Sequence, residues 1–428
     1  MNKYKSFAFH DYEFDLNKKT LDLKYKLDEA VTFTETYLFD FEFVPDINQE
    51  SLDRAIQSLF FMAGVSYYKT YIPPEIVIAK GSLDKESADF FGKTYQKGLG
   101  EFLYINKLDP STPINFPHNS SGVEPIITHV QDGQLIGIGG GKDSLVSVEL
   151  LRKQPHVATW SVGHRSQLEP LVRRIGLPHF WVERTWDPKL LELNKQDAYN
   201  GHIPISAILA CVGVIVAILA GYRDVVVSNE SSASEPNLTY QDVPINHQYS
   251  KSLEFEQDFQ DYLAHQLSGG PRYYSFLRPF SELRISDFFA KIGFEKYKDV
   301  FSSCNRAFTH DSRHLFWCGV CPKCAFVFLA LTPFLPREEV EGLWGGKNLL
   351  LDPSLEITYR QLLGIAGDKP LDCVGEIKEA RAAMDLAKKQ YSQLEKYKYE
   401  IPSDYNYREL GTHSMPPEIF KVLDVLVN

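Results

Sequence analysis

Long runs of like charge are missing from this chain of 428 residues. Its formal net charge of −11 is spread along the sequence without an acidic or basic block. Binding a phosphate backbone needs clustered Lys and Arg, so no nucleic-acid partner is expected. A membrane-spanning segment is missing too. The longest apolar stretch, Ala207–Ala220, ends at Gly221-Tyr222-Arg223-Asp224, short of the roughly 20 residues a bilayer requires, and it reads as a buried helix. Met1–Phe9 carries no apolar core of signal-peptide length. Cysteine is scarce, with six in all, and four of them crowd between Cys304 and Cys324. That is the pattern of metal ligation in a reducing compartment, not of a secreted disulfide framework. No internal repeat is visible. The expectation is a cytoplasmic protein acting on a small molecule, with its oligomeric state left open.

What is present is a globular balance of 44% hydrophobic and 24% charged residues. At this length two or three domains are expected. In residues 1–125, Thr20–Tyr25 and Thr32–Tyr37 alternate with the period of half-buried antiparallel strands. Leu52–Ala63 and Lys85–Gly98 have helical spacing, and Asp109–Ser121 reads as a linker. This is an α+β module to which the residues assign no chemistry. In residues 126–300 continuous apolar runs (Gln134–Ile138, Val157–Val162, Phe180–Val182, Val225–Val227) alternate with helices at Ser144–Leu151, Leu168–Ile175 and 205–220. That predicts an α/β fold, a doubly wound parallel sheet covered on both faces. Asp143, Gly163-His164 and Ser228-Asn229-Glu230 follow strands and should line one crevice at their carboxyl ends. Residues 301–428 carry the cysteines and a helical tail, in which Glu376–Tyr399 reads as a solvated amphipathic helix.

Gly139-Gly140-Gly141-Lys142-Asp143-Ser144 joins a strand to a helix, where bare backbone N–H groups and the helix dipole receive phosphate oxygens. A Walker loop is excluded because Ile136 stands where its first Gly belongs and Asp143 where Ser or Thr must follow Gly-Lys, and a dinucleotide fingerprint from Gly137 would need Gly at Lys142. The loop resembles that of the pyrophosphate-loop adenine-nucleotide alpha hydrolases, Ser-Gly-Gly-x-Asp-Ser, with Gly139 replacing the first Ser. The resemblance implies cleavage of ATP to AMP and pyrophosphate to adenylate a carboxylate, with magnesium. It makes Gly139–Ser144 and His164 candidates for binding the nucleotide.

Cys304, Cys318, Cys321 and Cys324 offer four thiolates in interlocked C-x2-C steps, the ligand set of a closed structural zinc site. An iron–sulfur cluster or reduced thiols are the alternatives. Together with Gly64–Lys69, Asn200–Pro204, Ser228–Ser234, Asn246–Lys251, Arg278–Leu283 and Lys369–Glu376, the loop and the cysteines resemble the ATP-dependent UDP-N-acetylmuramoyl-L-alanyl-L-glutamate epimerases of peptidoglycan precursor synthesis. The resemblance covers most of the chain. It implies a UDP-muramyl dipeptide substrate whose terminal L-glutamate is inverted through an acyl-adenylate.

Adenylation would neutralise the α-carboxylate and leave a carbonyl able to accept the electrons of the departing α-proton. Each face then needs a proton-transfer group unless water supplies it. Cys373 is one candidate if its pKa is lowered, although a small buried packing residue is the plainer reading of it. His247, Lys251 and Glu230 are alternative bases or magnesium ligands. Asn229, Lys251 and Arg278 are candidates for holding substrate, Arg278 because a planar fork suits a carboxylate. The competing readings are a synthetase that passes the adenylate to ammonia or a thiol, a regulatory module that senses ATP without turnover, and a tRNA-modifying enzyme.

Overall fold

Alternation decides the first strands. In the computed structural model of the protein, which describes residues 3–309 and 312–427, three antiparallel strands open the chain: β1 (Ser6–Asp15), β2 (Thr20–Leu27) and β3 (Val31–Asp40). Met1 and Asn2, the start of the stretch read for a signal segment, lie outside those residues. Leu21, Leu23, Tyr25 and Leu27 are fully buried while the intervening side chains stay partly exposed, as a period of two demands. Their inner face packs against helix α1 (Gln49–Ala63) through Tyr25 and Phe60, whose rings stack at 5.3 Å. Asn48 caps α1 by accepting from Ser51 N at 3.0 Å. Strand β4 (Glu75–Ile78) runs parallel to β1, and helix α2 (Lys85–Gly98) follows.

The expected βα alternation comes next. It comprises β5 (Gln131–Gly137), α3 (Lys142–Leu151), β6 (Val157–Val162), α4 (Arg165–Ile175), β7 (His179–Thr185), α5 (Ile205–Ala220), β8 (Tyr222–Val227), α6 (Leu253–Gln266) and β9 (Arg272–Ser275). The last five strands are mutually parallel, and the whole sheet runs β9-β8-β5-β6-β7-β3-β2-β1-β4. Antiparallel pairing of β3 with β7, Phe39 opposite Val182, joins the opening strands to the parallel half. The expected division at 125/126 therefore does not interrupt the sheet.

Adjacent residues of the parallel strands enter opposite cores. Leu135, Val225 and Tyr273 face α1 and α5, whereas Ile136, Val226 and Tyr274 face α3 and α4. That double burial is why these strands read as continuous apolar runs. Helix α5 lies so close to the sheet that a Cβ on Gly213 would come within 2.7 Å of both Trp160 and Val225.

Beyond residue 280, α7 (Glu282–Ile292), α8 (Pro322–Leu331) and α9 (Ile377–Ala387) complete the second core. The helix expected over Glu376–Tyr399 ends twelve residues early, because Tyr391 and Leu394 turn inward and are buried. Nor is it simply solvated, since Ala380, Ala383 and Met384 are buried on one face. Among the described residues no helix is long and apolar enough to cross a membrane.

Candidate active site

The parallel strands change direction at β5: the chain passes to β6 and β7 on one side and returns to β8 and β9 on the other. Such a switch point leaves a crevice outside the strand carboxyl ends. A cavity of about 340 Å³ lies there, lined by Gly137 from β5, Val162 from β6 and Val227 from β8. Gly139, Gly141, Asp143, Ser144, Asn229, Lys251 and Cys373 line it as well. His164 follows β6 as expected, in the left-handed region at φ 55°, but it is exposed and does not line the cavity, its ring edge-on to Phe308 at 5.3 Å.

The glycine loop is shaped by two close approaches. Gly140 has φ +87°, and a Cβ there would meet the Phe308 ring at 2.7 Å, so both conformation and space require glycine. Its carbonyl accepts from Ser302 N at 3.0 Å. Gly141 caps α3 without a side chain, which leaves the helix N terminus facing the crevice. Gly139 is different, because a Cβ there meets nothing within 4 Å. The missing hydroxyl of the resembled motif thus corresponds to open space.

Lys142 departs from expectation. Its side chain is 1% exposed and its ammonium contacts both Asp143 and Glu282 instead of entering the crevice. Burial disfavours that charge, but the two carboxylates outweigh it and hold the pKa above the usual lysine value. The acidic oxygens of Asp143, Glu230 and Glu282 lie within 4.8 Å of one another. Glu230 is pushed up to about 7, first by burial and then by the charges of Glu282 and Asp143. Burial acts on Glu282 too, yet Lys142 and Lys323 hold it below the ordinary range. Three carboxylates so close form a hard oxygen donor set of the kind that binds magnesium. Glu282 lies within the motif Arg278–Leu283, but nothing local in the sequence gives it this role.

A second cluster faces the same crevice. Lys251 Nζ donates to Cys373 Sγ at 3.2 Å, and His247 is near enough for its charge to act on the same sulfur. Burial by itself would raise the thiol's pKa, but Lys251 and His247 reverse the sign and bring it down to about 6. Cys373 sits in a turn anchored from outside: Asn237 Nδ2 donates to Pro370 O at 2.8 Å and Lys369 pairs with Glu235 at 2.6 Å. His247 Nδ1 contacts the Glu101 carboxylate, a residue that sequence left without a role.

Arg278 gives up the substrate-binding role expected of it. It is 1% exposed, and its fork is engaged by Glu256 at 2.8 and 3.0 Å, by Glu230 O at 2.6 Å and by Lys251 O at 2.5 Å. One guanidinium thus ties together the backbones that carry the two clusters. Asn229 remains on the crevice wall, its carbonyl accepting from Ser275 Oγ at 2.6 Å.

The sulfurs of Cys304, Cys318, Cys321 and Cys324 all lie within 4.8 Å of one another. A tetrahedral ion held at about 2.3 Å by four sulfurs separates them by about 3.8 Å, and Cys318 and Cys324 are 3.7 Å apart. The donor set can therefore hold a metal. Cys211 is fully buried in α5, and burial pushes its thiol well up.

A family model described as the MurL N-terminal domain matches residues 1–276, and one described as the MurL C-terminal domain matches residues 300–399. Three curated relatives carry the name UDP-N-acetyl-alpha-D-muramoyl-L-alanyl-L-glutamate epimerase. The protein from Xanthomonas oryzae pv. oryzae is 39% identical over 87% of this chain and 86% of its own length. That from Salinispora tropica is 39% identical over 91% and 86%, and that from a Micromonospora species 37% identical over 91% and 88%.

Proposed function

The chain belongs to the MurL epimerase family, and from that premise we propose that it inverts the terminal L-glutamate of UDP-N-acetylmuramoyl-L-alanyl-L-glutamate through an acyl-adenylate. The observation that carries the reading is that the glycine loop and the Cys373 thiol open onto one crevice. The parallel half of the sheet is then a pyrophosphate-loop ATPase fold, with the bare N–H groups of Gly139–Asp143 and the α3 N terminus receiving the leaving pyrophosphate. An α-carboxylate oxygen of the glutamate attacks the α-phosphorus of ATP, and pyrophosphate departs.

Asp143, Glu230 and Glu282 are the residues that would hold magnesium, which neutralises phosphate charge when bound. Their excess of negative charge, visible in the raised Glu230, suits such an ion. The four cysteines suit a structural zinc, closed to substrate because all four positions are protein ligands.

Once the carboxylate is an anhydride, its carbonyl accepts the electron pair left when the α-proton is removed. Cys373 is assigned as the base, because Lys251 and His247 keep it a thiolate near neutral pH. Return of a proton to the opposite face inverts the carbon, and water cleaves the anhydride to AMP and the D-glutamyl product. A nucleoside triphosphate and a UDP-linked substrate suit a reaction in the cytoplasm. The test is to identify the nucleotide products when the purified protein is given ATP, magnesium and the UDP-muramyl dipeptide. AMP and pyrophosphate, formed only with the dipeptide present, are expected; ADP and phosphate would overturn the reading.

A further inference from the structure

His247 has a second neighbour that the proposed reaction does not yet use. Glu101 stands in the first turn of the short helix Gly100–Ile105, far from the crevice motifs in sequence. Its carboxylate meets His247 Nδ1, both side chains being 15% exposed. With Nδ1 held by Glu101, the charge of the same imidazole acts on Cys373. His202 packs on the same imidazole with ring centroids 4.3 Å apart.

We propose that Glu101, His247 and Cys373 act as a unit in which Glu101 orients His247 and keeps it an imidazolium, and the imidazolium in turn keeps Cys373 a thiolate ready to take the α-proton. Glu101 is then a positioning residue, and the first 125 residues contribute to the chemistry. The inference rests on the assignment of Cys373 as the base.

The charges around the unit make Glu101 necessary. Facing His247 and Cys373 are Lys251 from the turn at 249–251, Lys323 from α8, Asp372 beside the thiol, and His202 from the loop before α5. His202 is kept neutral, its pKa lowered to about 4 first by burial and then by His247. Lys251 and Lys323 repel a further cation, and burial of Asp372 raises its pKa and favours its neutral form. His247 nevertheless has its pKa raised to about 9: burial opposes its charge, and Cys373 and Glu101 outweigh that. Take away the Glu101 charge, and the thiolate is the one strong reason left for the imidazole to stay protonated. The pair then loses both charges together more readily, because each stabilises the other.

The donor atoms of Glu101, His202 and His247 lie within 4.8 Å of one another, and two imidazoles with one carboxylate are the ligand set of some metal sites. An imidazolium has no ring lone pair left for a metal, so the two uses of His247 separate experimentally.

The experiment follows alkylation of Cys373 by iodoacetamide, read on its own peptide by mass spectrometry, in the full-length protein across the acidic and neutral range. Wild type should label with a midpoint near pH 6. Glu101→Gln, which keeps the shape and loses the charge, should move the midpoint up by about one unit, so that labelling at pH 6 slows roughly fivefold. Glu101→Asp should return part of the shift, which a merely structural role for Glu101 would not produce. Should Glu101→Gln fail to fold, His247→Gln carries the same expectation. An unchanged midpoint in these variants would overturn the proposal, as would a metal bound by wild type and lost from Glu101→Gln. If instead the midpoint moves while Cys373→Ala retains full exchange of the α-proton, the Glu101 link stands and the assignment of the base fails.

Discussion

Two charged clusters border one crevice, and they are built with opposite balances. On the phosphate-loop side three carboxylates, Asp143, Glu230 and Glu282, gather together, two of them against Lys142, with Lys323 3.6 Å from Glu282. On the other side a single thiol, Cys373, is flanked by Lys251 and His247. Burial pushes both acids in the same direction, upward. Their neighbours decide the outcome: Glu230 among carboxylates rises to about 7, whereas Cys373 among cations falls to about 6. The charge balance of the first cluster suits a cation and that of the second suits a proton, the two needs of the adenylating epimerisation proposed above.

The comparison breaks most severely at Glu282. In Glu282→Gln the buried Lys142 loses one of its two counter-charges, and removal of one partner from a buried pair costs about 3 to 5 kcal/mol. Asp143 still faces Lys142, so the lower end of that range is expected as a loss of unfolding free energy in denaturant titration. A variant as stable as wild type would mean that Asp143 alone balances the lysine.

The thiol cluster can be weakened without unfolding. A thiolate base is active above its pKa and inactive below it, so exchange of the substrate's α-proton should fall as pH drops through about 6. Lys251→Gln removes the cation nearest the sulfur, and the acidic limb should move up by about one unit, a roughly tenfold loss well below the midpoint. A limb that stays in place would assign the titration to another group, of which Glu230 is the nearest in pKa.

The smallest effect is expected at Gly139. Gly139→Ser restores the hydroxyl of the resembled loop into open space, so its effect on stability should stay within about 0.5 kcal/mol. Gly140→Ser would instead collide with Phe308 and suffer a left-handed backbone, and a comparison of the two melting temperatures checks the contrast.

Much of this was legible in the sequence because periodicity carries it. The apolar runs of Val157–Val162 and of the helix at 205–220 end where those elements end, and the glycines of Gly139–Ser144 mark the turn between a strand and a helix. Partner choice is another matter. Lys142 and Glu282 are 140 residues apart and Glu101 and His247 are 146 apart, and no local pattern links such pairs. The fork of Arg278 suits Glu256 as well as a substrate carboxylate, and only burial distinguishes the two. Tyr391 ended α9 early through a tertiary contact that outweighed a helix-forming composition.

The most direct measurement runs the reaction in heavy water with wild type and Cys373→Ala, following pyrophosphate release and deuterium at the α-carbon of the glutamate together. Wild type should release pyrophosphate and yield D-glutamyl product carrying deuterium. Cys373→Ala should still release pyrophosphate and incorporate none. Full deuterium incorporation by the variant would contradict the role of the thiol, and an L-configured, amidated or thioesterified product from wild type would contradict the adenylate-driven epimerisation itself.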